Sequence, residues 1–291
     1  MLSRASVEPY KTVLITVGDF YNSENELHAF AVAKKVLEHH PKWTIYLAGK
    51  CEISINACLE GDTTLQKCQV LTLDLDNIES IQKVKHFLVR AHPRGIDILI
   101  HARDNQPMPL TLDVGSIFQQ CFWSVWNLVQ QLSPLVKPLG RIVIASSRFS
   151  QIAYRKLSED VQQKFQQCQR IEDVAKLMAE IGQRLQSNGA DDDETDEHLL
   201  SLLRYGVAKL GVNLLVELVQ RKFNHYNMRI LVNCYCSGPC NLHDEAQQAD
   251  SPYFLSDLPN ESSIQGKFIA ERKVLDKFIM SDKELEYFLK E

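Results

Sequence analysis

The chain has 291 residues, 45% of them hydrophobic, and a formal net charge of −5. This length and apolar fraction suit one large domain, and the negative charge argues against nucleic acid or an anionic membrane as the main partner. Apolar runs stay shorter than the roughly 18 residues that a membrane-spanning helix needs. The first residues, MLSRASVEPYK, lack the apolar stretch of a secretory signal.

The eight cysteines argue for a reducing compartment. Several lie inside apolar runs, which indicates buried free thiols in a cytoplasmic protein rather than a disulfide framework. Cys234, Cys236 and Cys240 are close in sequence, but no Cys or His pair with ordinary zinc spacing accompanies them. A strand would also point Cys234 and Cys236 to one face as packing residues. We therefore predict no metal site.

Short apolar runs alternate with amphipathic ones along the chain, which predicts parallel strands covered by helices on both faces. The expected fold is α/β, a Rossmann-like doubly wound parallel sheet of about seven strands, with residues 1–291 forming a single domain. The predicted elements are, in chain order, a strand at Lys11–Val17, a helix at Leu27–Leu37, strands at Trp43–Leu47 and Gln69–Leu75, a helix at Ile78–Arg90, a strand at Ile96–Ala102, a helix at Val114–Val136, a strand at Arg141–Ser147, a helix at Tyr205–Phe223, and strands at Met228–Cys236 and Lys267–Ala270.

One insertion, residues 151–200, interrupts this alternation. Its first part has helical periodicity, and the stretch SNGADDDETDE follows. A run of charges of this kind is typical of a solvated loop, so we predict a helical insertion that ends in an acidic loop.

A YxxxK motif, Tyr205-Gly-Val-Ala-Lys209, lies at the predicted start of a long helix and follows a strand that ends in Ser146-Ser147. Motif, strand order and chain length together resemble the short-chain dehydrogenase/reductase family. The stretches VQQKFQ, SPLVKPLGRIVIASS, YGVAKLGV and GKFIAERKV are similar to those of its monomeric carbonyl reductases, over nearly the whole chain. The resemblance implies NADPH-dependent reduction of a ketone or aldehyde. It also implies a monomer, because the insertion covers the helix face through which other members associate.

The resemblance implies that Ser147, Tyr205 and Lys209 are the catalytic residues. Lys209 lies one helical turn after Tyr205, so both side chains project from one face. A nearby ammonium favours the phenolate form, and the phenol gives its proton to a carbonyl oxygen as hydride reaches the carbon. A serine hydroxyl beside it holds that oxygen, and the family uses the second serine of the pair.

The resemblance also implies cofactor-binding residues, namely Thr16, Gly18, Lys50, Asp74 and Gly238. Asp74 matches an aspartate that accepts a hydrogen bond from the adenine amine. Lys50 follows the second strand, where the carbonyl reductases have an arginine for the 2′-phosphate. A carboxylate at that position is typical of NAD binding, so Lys50 favours NADP(H).

The phosphate loop departs from the family motif TGxxxGxG. Val17 stands where a glycine is expected, and two later glycines are replaced within Phe20–Ser23. Those glycines allow a left-handed turn and a close approach of the backbone to phosphate. Asp19 and Glu24 add negative charge beside the expected pyrophosphate, which is unfavourable.

Three further segments also depart from the family. His101–Asp104 replaces the motif NNAG and puts the large Arg103 where small residues are expected. Cys121 replaces an asparagine of a proton relay, and Ser237 replaces a proline. The sequence therefore leaves three functions open. These are an NADPH-dependent carbonyl reductase, a non-catalytic relative that binds or regulates a protein partner, and a remodelled pocket for another ligand.

Overall fold

The computed structural model describes residues 10–18, 27–103, 113–187, 197–238, 244–283 and 285. Its strands are β1 (Thr12–Thr16), β2 (Thr44–Gly49), β3 (Gln69–Thr72), β4 (Ile96–His101), β5 (Val136–Ser146), β6 (Leu231–Cys236), β7 (Phe268–Ala270) and β8 (Lys273–Leu275). In the described part of the chain they form one sheet in the order β3-β2-β1-β4-β5-β6-β7-β8. All pairs are parallel except β7 with β8.

The doubly wound parallel sheet is therefore confirmed, with one antiparallel strand added at its edge. Glu271 and Arg272 connect β7 to β8 and have φ angles of 49° and 61°. Positive φ at both central residues is typical of the two-residue turn that suits a twisted hairpin. Sequence patterning missed β8 because neither residue is one of the Asn or Gly residues that usually mark such a turn.

The helices cover both faces of the sheet. They are α1 (Leu27–His39), α2 (Glu52–Glu60), α3 (Ile78–Ala91), α4 (Val114–Phe118), a π-helical segment (Gln119–Trp123), α5 (Ser124–Leu132), α6 (Phe149–Lys156), α7 (Glu159–Gln167), α8 (Ile171–Ser187), α9 (Glu197–His225), α10 (Glu245–Gln248) and α11 (Asp250–Ser256). Along β1, Val13 and Ile15 belong to the apolar cluster of α1 and α11, whereas Leu14 belongs to that of α3, α5, α8 and α9. This alternation is expected for a strand buried on both faces.

Two helix predictions need correction, and one helix was missed. The helix that carries Tyr205 begins at Glu197, so Tyr205 lies in its third turn and not at its start. The helix predicted at Val114–Val136 contains the π-helical segment, and Val136 already belongs to β5. Helix α2 was not predicted, because only Ile55 and Leu59 are buried and no apolar stripe marks it.

The insertion forms most of α6, all of α7 and α8 and the first turn of α9, and its predicted helical part corresponds to α7 and α8. Helices α6 and α8 pack against α9, which is buried along most of its length. The insertion therefore covers part of the surface of α9 in the described residues. Most of the predicted acidic loop, residues 188–196, lies outside the described residues.

Within the described ranges, no helix is long and apolar enough to cross a membrane. The same residues contain no group of three or more His, Cys, Asp or Glu side chains placed to hold a metal ion.

Candidate active site

The site lies at the carboxyl ends of the central strands. The chain runs from β1 outward to β3 and then returns to the other side of β1 with β4, so the strand order reverses between β1 and β4. Doubly wound sheets bind ligands in the crevice outside such a reversal. Thr16 and His101 end these two strands, and Gly18 and Arg103 follow shortly after them.

Helix α9 carries Tyr205 and Lys209, and the end of β5 leads into Ser147, so these two elements hold the predicted catalytic residues. Lys209 Nζ donates a hydrogen bond of 3.3 Å to the Ala145 carbonyl oxygen and lies 5.5 Å from the centre of the Tyr205 ring. Both side chains are buried. Ser147 directly follows β5, and its Oγ accepts a hydrogen bond of 3.3 Å from the Phe149 amide at the start of α6. The β5–α9 junction is the part of the crevice that we call the catalytic end.

A buried polar network centred on Asn213 fixes this junction. Ser146 Oγ donates to Asn213 Oδ1 at 2.5 Å, and Asn213 Nδ2 donates to Ser150 Oγ at 3.0 Å. Cys234 Sγ also donates to Asn213 Oδ1, at 3.3 Å. Asn213 therefore ties α9 to β5, β6 and α6, and satisfied buried networks of this kind make a site rigid. Sequence reasoning missed Asn213, although its position one turn after Lys209 was a usable signal.

His101 and Thr16 join the ends of β4 and β1. Thr16 Oγ1 and His101 Nδ1 share a hydrogen bond of 2.7 Å, and both residues are buried. Burial holds the pKa of His101 well below its ordinary value, and the charges of Lys209 and Arg103 lower it further. His101 is therefore neutral at pH 7. The hydroxyl of Thr16, a predicted cofactor residue, is bonded to this imidazole.

Arg103 fills the crevice beside Gly18. Its side chain is 3% exposed, and its Cγ lies 3.6 Å from the position of a Cβ built on Gly18. Arg103 Nη2 donates to Gln120 Oε1 at 3.4 Å. Gln120 belongs to the π-helical segment, as does the buried Cys121. The side chain thus lies across the reversal point of the sheet.

Lys50 forms ion pairs with both Asp74 and Asp76. Lys50 Nζ lies 3.3 Å from Asp74 Oδ1 and 3.0 Å from Asp76 Oδ2. Burial raises the pKa of Asp76, but hydrogen bonds from Gln119 and Lys50 and the charges of Lys50 and Arg103 outweigh it and leave the pKa below its ordinary value. Two carboxylates therefore balance the charge predicted to recognise a 2′-phosphate. Sequence reasoning missed Asp76. We call the Gly18–Arg103–Lys50 region the adenosine end.

Val17 is accommodated by a glycine of the neighbouring strand. A Cβ on Gly49 would lie 3.3 Å from Val17 Cβ and 3.2 Å from Ile55 Cδ1, and both Val17 and Ile55 are buried. Gly49 thus leaves room for a side chain where the family has a glycine. Residues 19–26, with the other substituted positions of the phosphate loop, lie outside the described residues, as does Asp104.

Gly238 has a φ of 122°, a backbone conformation that residues with a Cβ rarely adopt. It follows β6 at the edge of the crevice, where the resemblance places a loop that contacts nicotinamide. The structure thus gives this predicted cofactor residue a conformational reason to be glycine.

The two ends of the crevice differ in their fit to NADP(H). A lysine ammonium has three donors, and among the described residues Lys209 Nζ has one hydrogen-bond acceptor, the Ala145 carbonyl. Its other donors suit the hydroxyls of the nicotinamide ribose, so the catalytic end fits. At the adenosine end the Arg103 side chain takes up the space beside Gly18, and Lys50 is already paired, so that end does not fit.

No family model matches the sequence. Carbonyl reductase 3 of Homo sapiens, an NADPH enzyme by name, is 28% identical over 222 residues, which cover 69% of this chain and 77% of that protein. The NADPH enzyme carbonyl reductase 1 of Mus musculus is 28% identical over 240 residues, which cover 74% of this chain and 84% of the relative.

Two solved structures show the fold. Salutaridine reductase from Papaver somniferum matches with a TM-score of 0.69 at 14% identity and covers 89% of this chain and 99% of its own. Menthone neomenthol reductase from Mentha piperita matches with a TM-score of 0.68 at 16% identity, with coverage of 89% and 98%. Together the comparisons confirm the resemblance to the short-chain dehydrogenase/reductase family and to its carbonyl reductases.

Proposed function

We propose that the protein reduces a ketone or aldehyde to an alcohol with NADPH. The observation that carries this proposal is the junction of α9 with β5, where Lys209 Nζ bonds the Ala145 carbonyl and lies over the Tyr205 ring. The names of the relatives, NADPH carbonyl reductases, support the cofactor and the substrate class.

In this proposal the bound cofactor supplies hydride, and the protein's own residues manage the carbonyl oxygen. Ser147 Oγ donates a hydrogen bond to that oxygen and orients it. The Tyr205 hydroxyl gives its proton to the oxygen, and the positive charge of Lys209 stabilises the phenolate that remains. Because Tyr205 and Lys209 are buried, water is kept away from both groups and their interaction is strengthened.

The same proposal covers the organisation of the chain. Residues 1–291 form one short-chain dehydrogenase/reductase domain, and residues 151–200 are an insertion within it. Because α6 and α8 cover α9, the protein acts as a monomer. The described cysteines are all free, which supports a cytoplasmic location.

Specific observations favour a second candidate, a non-catalytic protein that binds or regulates a partner. Arg103 lies in the dinucleotide crevice, and Lys50 is balanced by Asp74 and Asp76. Cys121 also offers only a weak donor and acceptor where the family has an amide. A relative that lost its cofactor would keep the fold and the Tyr205–Lys209 pair without using them.

Calorimetry with NADPH, with NADH in parallel, separates the two candidates. We expect NADPH to bind and a panel of ketones and aldehydes to oxidise it in the presence of the protein. The matched control is Tyr205→Phe, which keeps the ring and removes the proton donor. We expect this variant to bind NADPH as before and to lose reduction. No NADPH binding at millimolar concentration would refute the reductase and leave the second candidate.

A further inference from the structure

Arg103 is a buried cation at the reversal point of the sheet. It follows β4, is 3% exposed, and packs with its Cγ against the Cα side of Gly18, which follows β1. A dinucleotide crosses a doubly wound sheet at this point. The aliphatic part of the arginine therefore lies where the ribose of the adenosine half has to pass.

Contacts on neighbouring elements hold the side chain in this position. Gln119 and Gln120, consecutive residues of the π-helical segment, reach two different groups there. Gln120 Oε1 accepts from Arg103 Nη2 at 3.4 Å, and Gln119 Nε2 donates to Asp76 Oδ1 at 3.0 Å. The charges of Arg103 and Asp76 attract each other, since Arg103 contributes to lowering the Asp76 pKa. If Arg103 leaves the crevice, its guanidinium loses the hydrogen bond to Gln120 and the attraction of the Asp76 carboxylate.

We infer that Arg103 determines which ligands this crevice admits: it competes with the adenosine half of a dinucleotide for the space beside Gly18 and leaves the nicotinamide half unhindered. This inference rests on the proposed function. NADPH binds only when it displaces Arg103, whereas reduced nicotinamide mononucleotide, which has no adenosine half, binds without displacing it. Losing a hydrogen bond to a charged group reduces affinity by on the order of tenfold or more.

Calorimetric dissociation constants for the two ligands test this inference. We expect Arg103→Ala to tighten NADPH binding by at least about tenfold and to leave reduced nicotinamide mononucleotide unchanged. Arg103→Met keeps most of the volume and should tighten NADPH binding less than Arg103→Ala. Gln120→Ala releases Arg103 without emptying the crevice, so it serves as a second variant if Arg103→Ala does not fold. Arg184→Ala, on the exposed side of α8, is the matched arginine control.

Other results would overturn the inference. Weaker NADPH binding by Arg103→Ala would mean that the guanidinium binds a phosphate of the cofactor. Tight NADPH binding by the native chain, unchanged in both Arg103 variants, would leave the reductase proposal standing without a role for Arg103. Absence of NADPH binding in the native chain and every variant would refute both proposals. Gain of NADPH binding only in Arg103→Ala would support the inference and refute the reductase proposal for the native chain.

Discussion

The catalytic end and the adenosine end of the crevice differ in how far their polar groups are already paired within the protein. At the catalytic end, the buried Lys209 Nζ has one carbonyl acceptor among the described residues, so its ammonium has further donors for a ligand. At the adenosine end, Lys50 is paired with two aspartates, and Arg103 takes up the space beside Gly18. The two ends are built from different elements, α9 with β5 and β1 with β4. The residues proposed for proton transfer and the residues predicted to hold the cofactor's adenosine therefore lie on separate elements and can change independently.

Replacement of Lys209 by Met gives the largest expected effect and tests the catalytic end. We expect carbonyl reduction to fall by about 10²–10⁴-fold, because the phenolate of Tyr205 loses its stabilising charge. The melting temperature should stay the same or rise, since an apolar side chain replaces a buried ammonium that has one acceptor. Steady-state kinetics and thermal unfolding measure the two effects.

Lys222→Met, an exposed position on the same helix, is the matched control and should change neither quantity. A strong loss of stability in Lys209→Met would show that the lysine is structural, and the contrast between the two ends would disappear.

Gly206→Ala tests whether the catalytic end is as tightly packed as the contacts indicate. A Cβ on Gly206 would lie 2.5 Å from the Phe149 carbonyl oxygen and 2.8 Å from Ala153 Cβ, so α6 has to move away from α9. We expect a loss of about 1–3 kcal/mol in the free energy of unfolding, measured in urea. Gly182→Ala is the matched control, because its Cβ would meet Phe118 at an ordinary 3.5 Å. Equal effects in both variants would argue against a rigid α6–α9 contact.

His101→Asn tests the buried link between β1 and β4. The folded-state pKa of His101 lies below the unfolded value, so below about pH 6.5 the unfolded chain binds a proton that the folded chain does not. The free energy of unfolding therefore keeps its full value above that pH. On acidification it falls by about 1.4 kcal/mol per pH unit until the folded-state pKa is reached. Unfolding followed between pH 7 and 5 should show a shallower slope for His101→Asn. Parallel slopes would mean that His101 titrates normally in the folded state.

Asp76→Asn gives the smallest expected effect and tests the adenosine end. Removing one carboxylate beside Lys50 leaves more of its charge for a 2′-phosphate, and the residues are partly exposed, so the gain is about 1 kcal/mol. The ratio of NADH to NADPH dissociation constants should rise about fivefold. Asp62→Asn, which breaks the remote Lys34–Asp62 ion pair, should leave the ratio unchanged. Equal changes in the NADH and NADPH dissociation constants would show that Lys50 does not bind the 2′-phosphate.

Sequence patterning was enough for the parallel strands of the sheet, though not for β8, and for the placement of Tyr205 and Lys209 on one helix. The apolar strand runs and the YxxxK spacing each involve residues that are close together in the chain, so the sequence shows them directly. The role of Asp76 depends on how the end of β3 meets the end of β2. The role of Gln120 depends on one π-helical turn, and no residue type in the sequence predicts such a turn. Such contacts depend on how elements far apart in the chain align with one another. A single sequence does not reveal that alignment.

The burial of α9 along most of its length has a consequence for exchange and access. Amides in a helix covered by the sheet, α6 and α8 exchange with solvent only when the whole domain opens, so α9 should be among the slowest-exchanging parts of the chain. Tyr205 therefore does not become accessible through fraying of its own helix. Any ligand that reaches its hydroxyl enters from the crevice, while the helix itself stays closed.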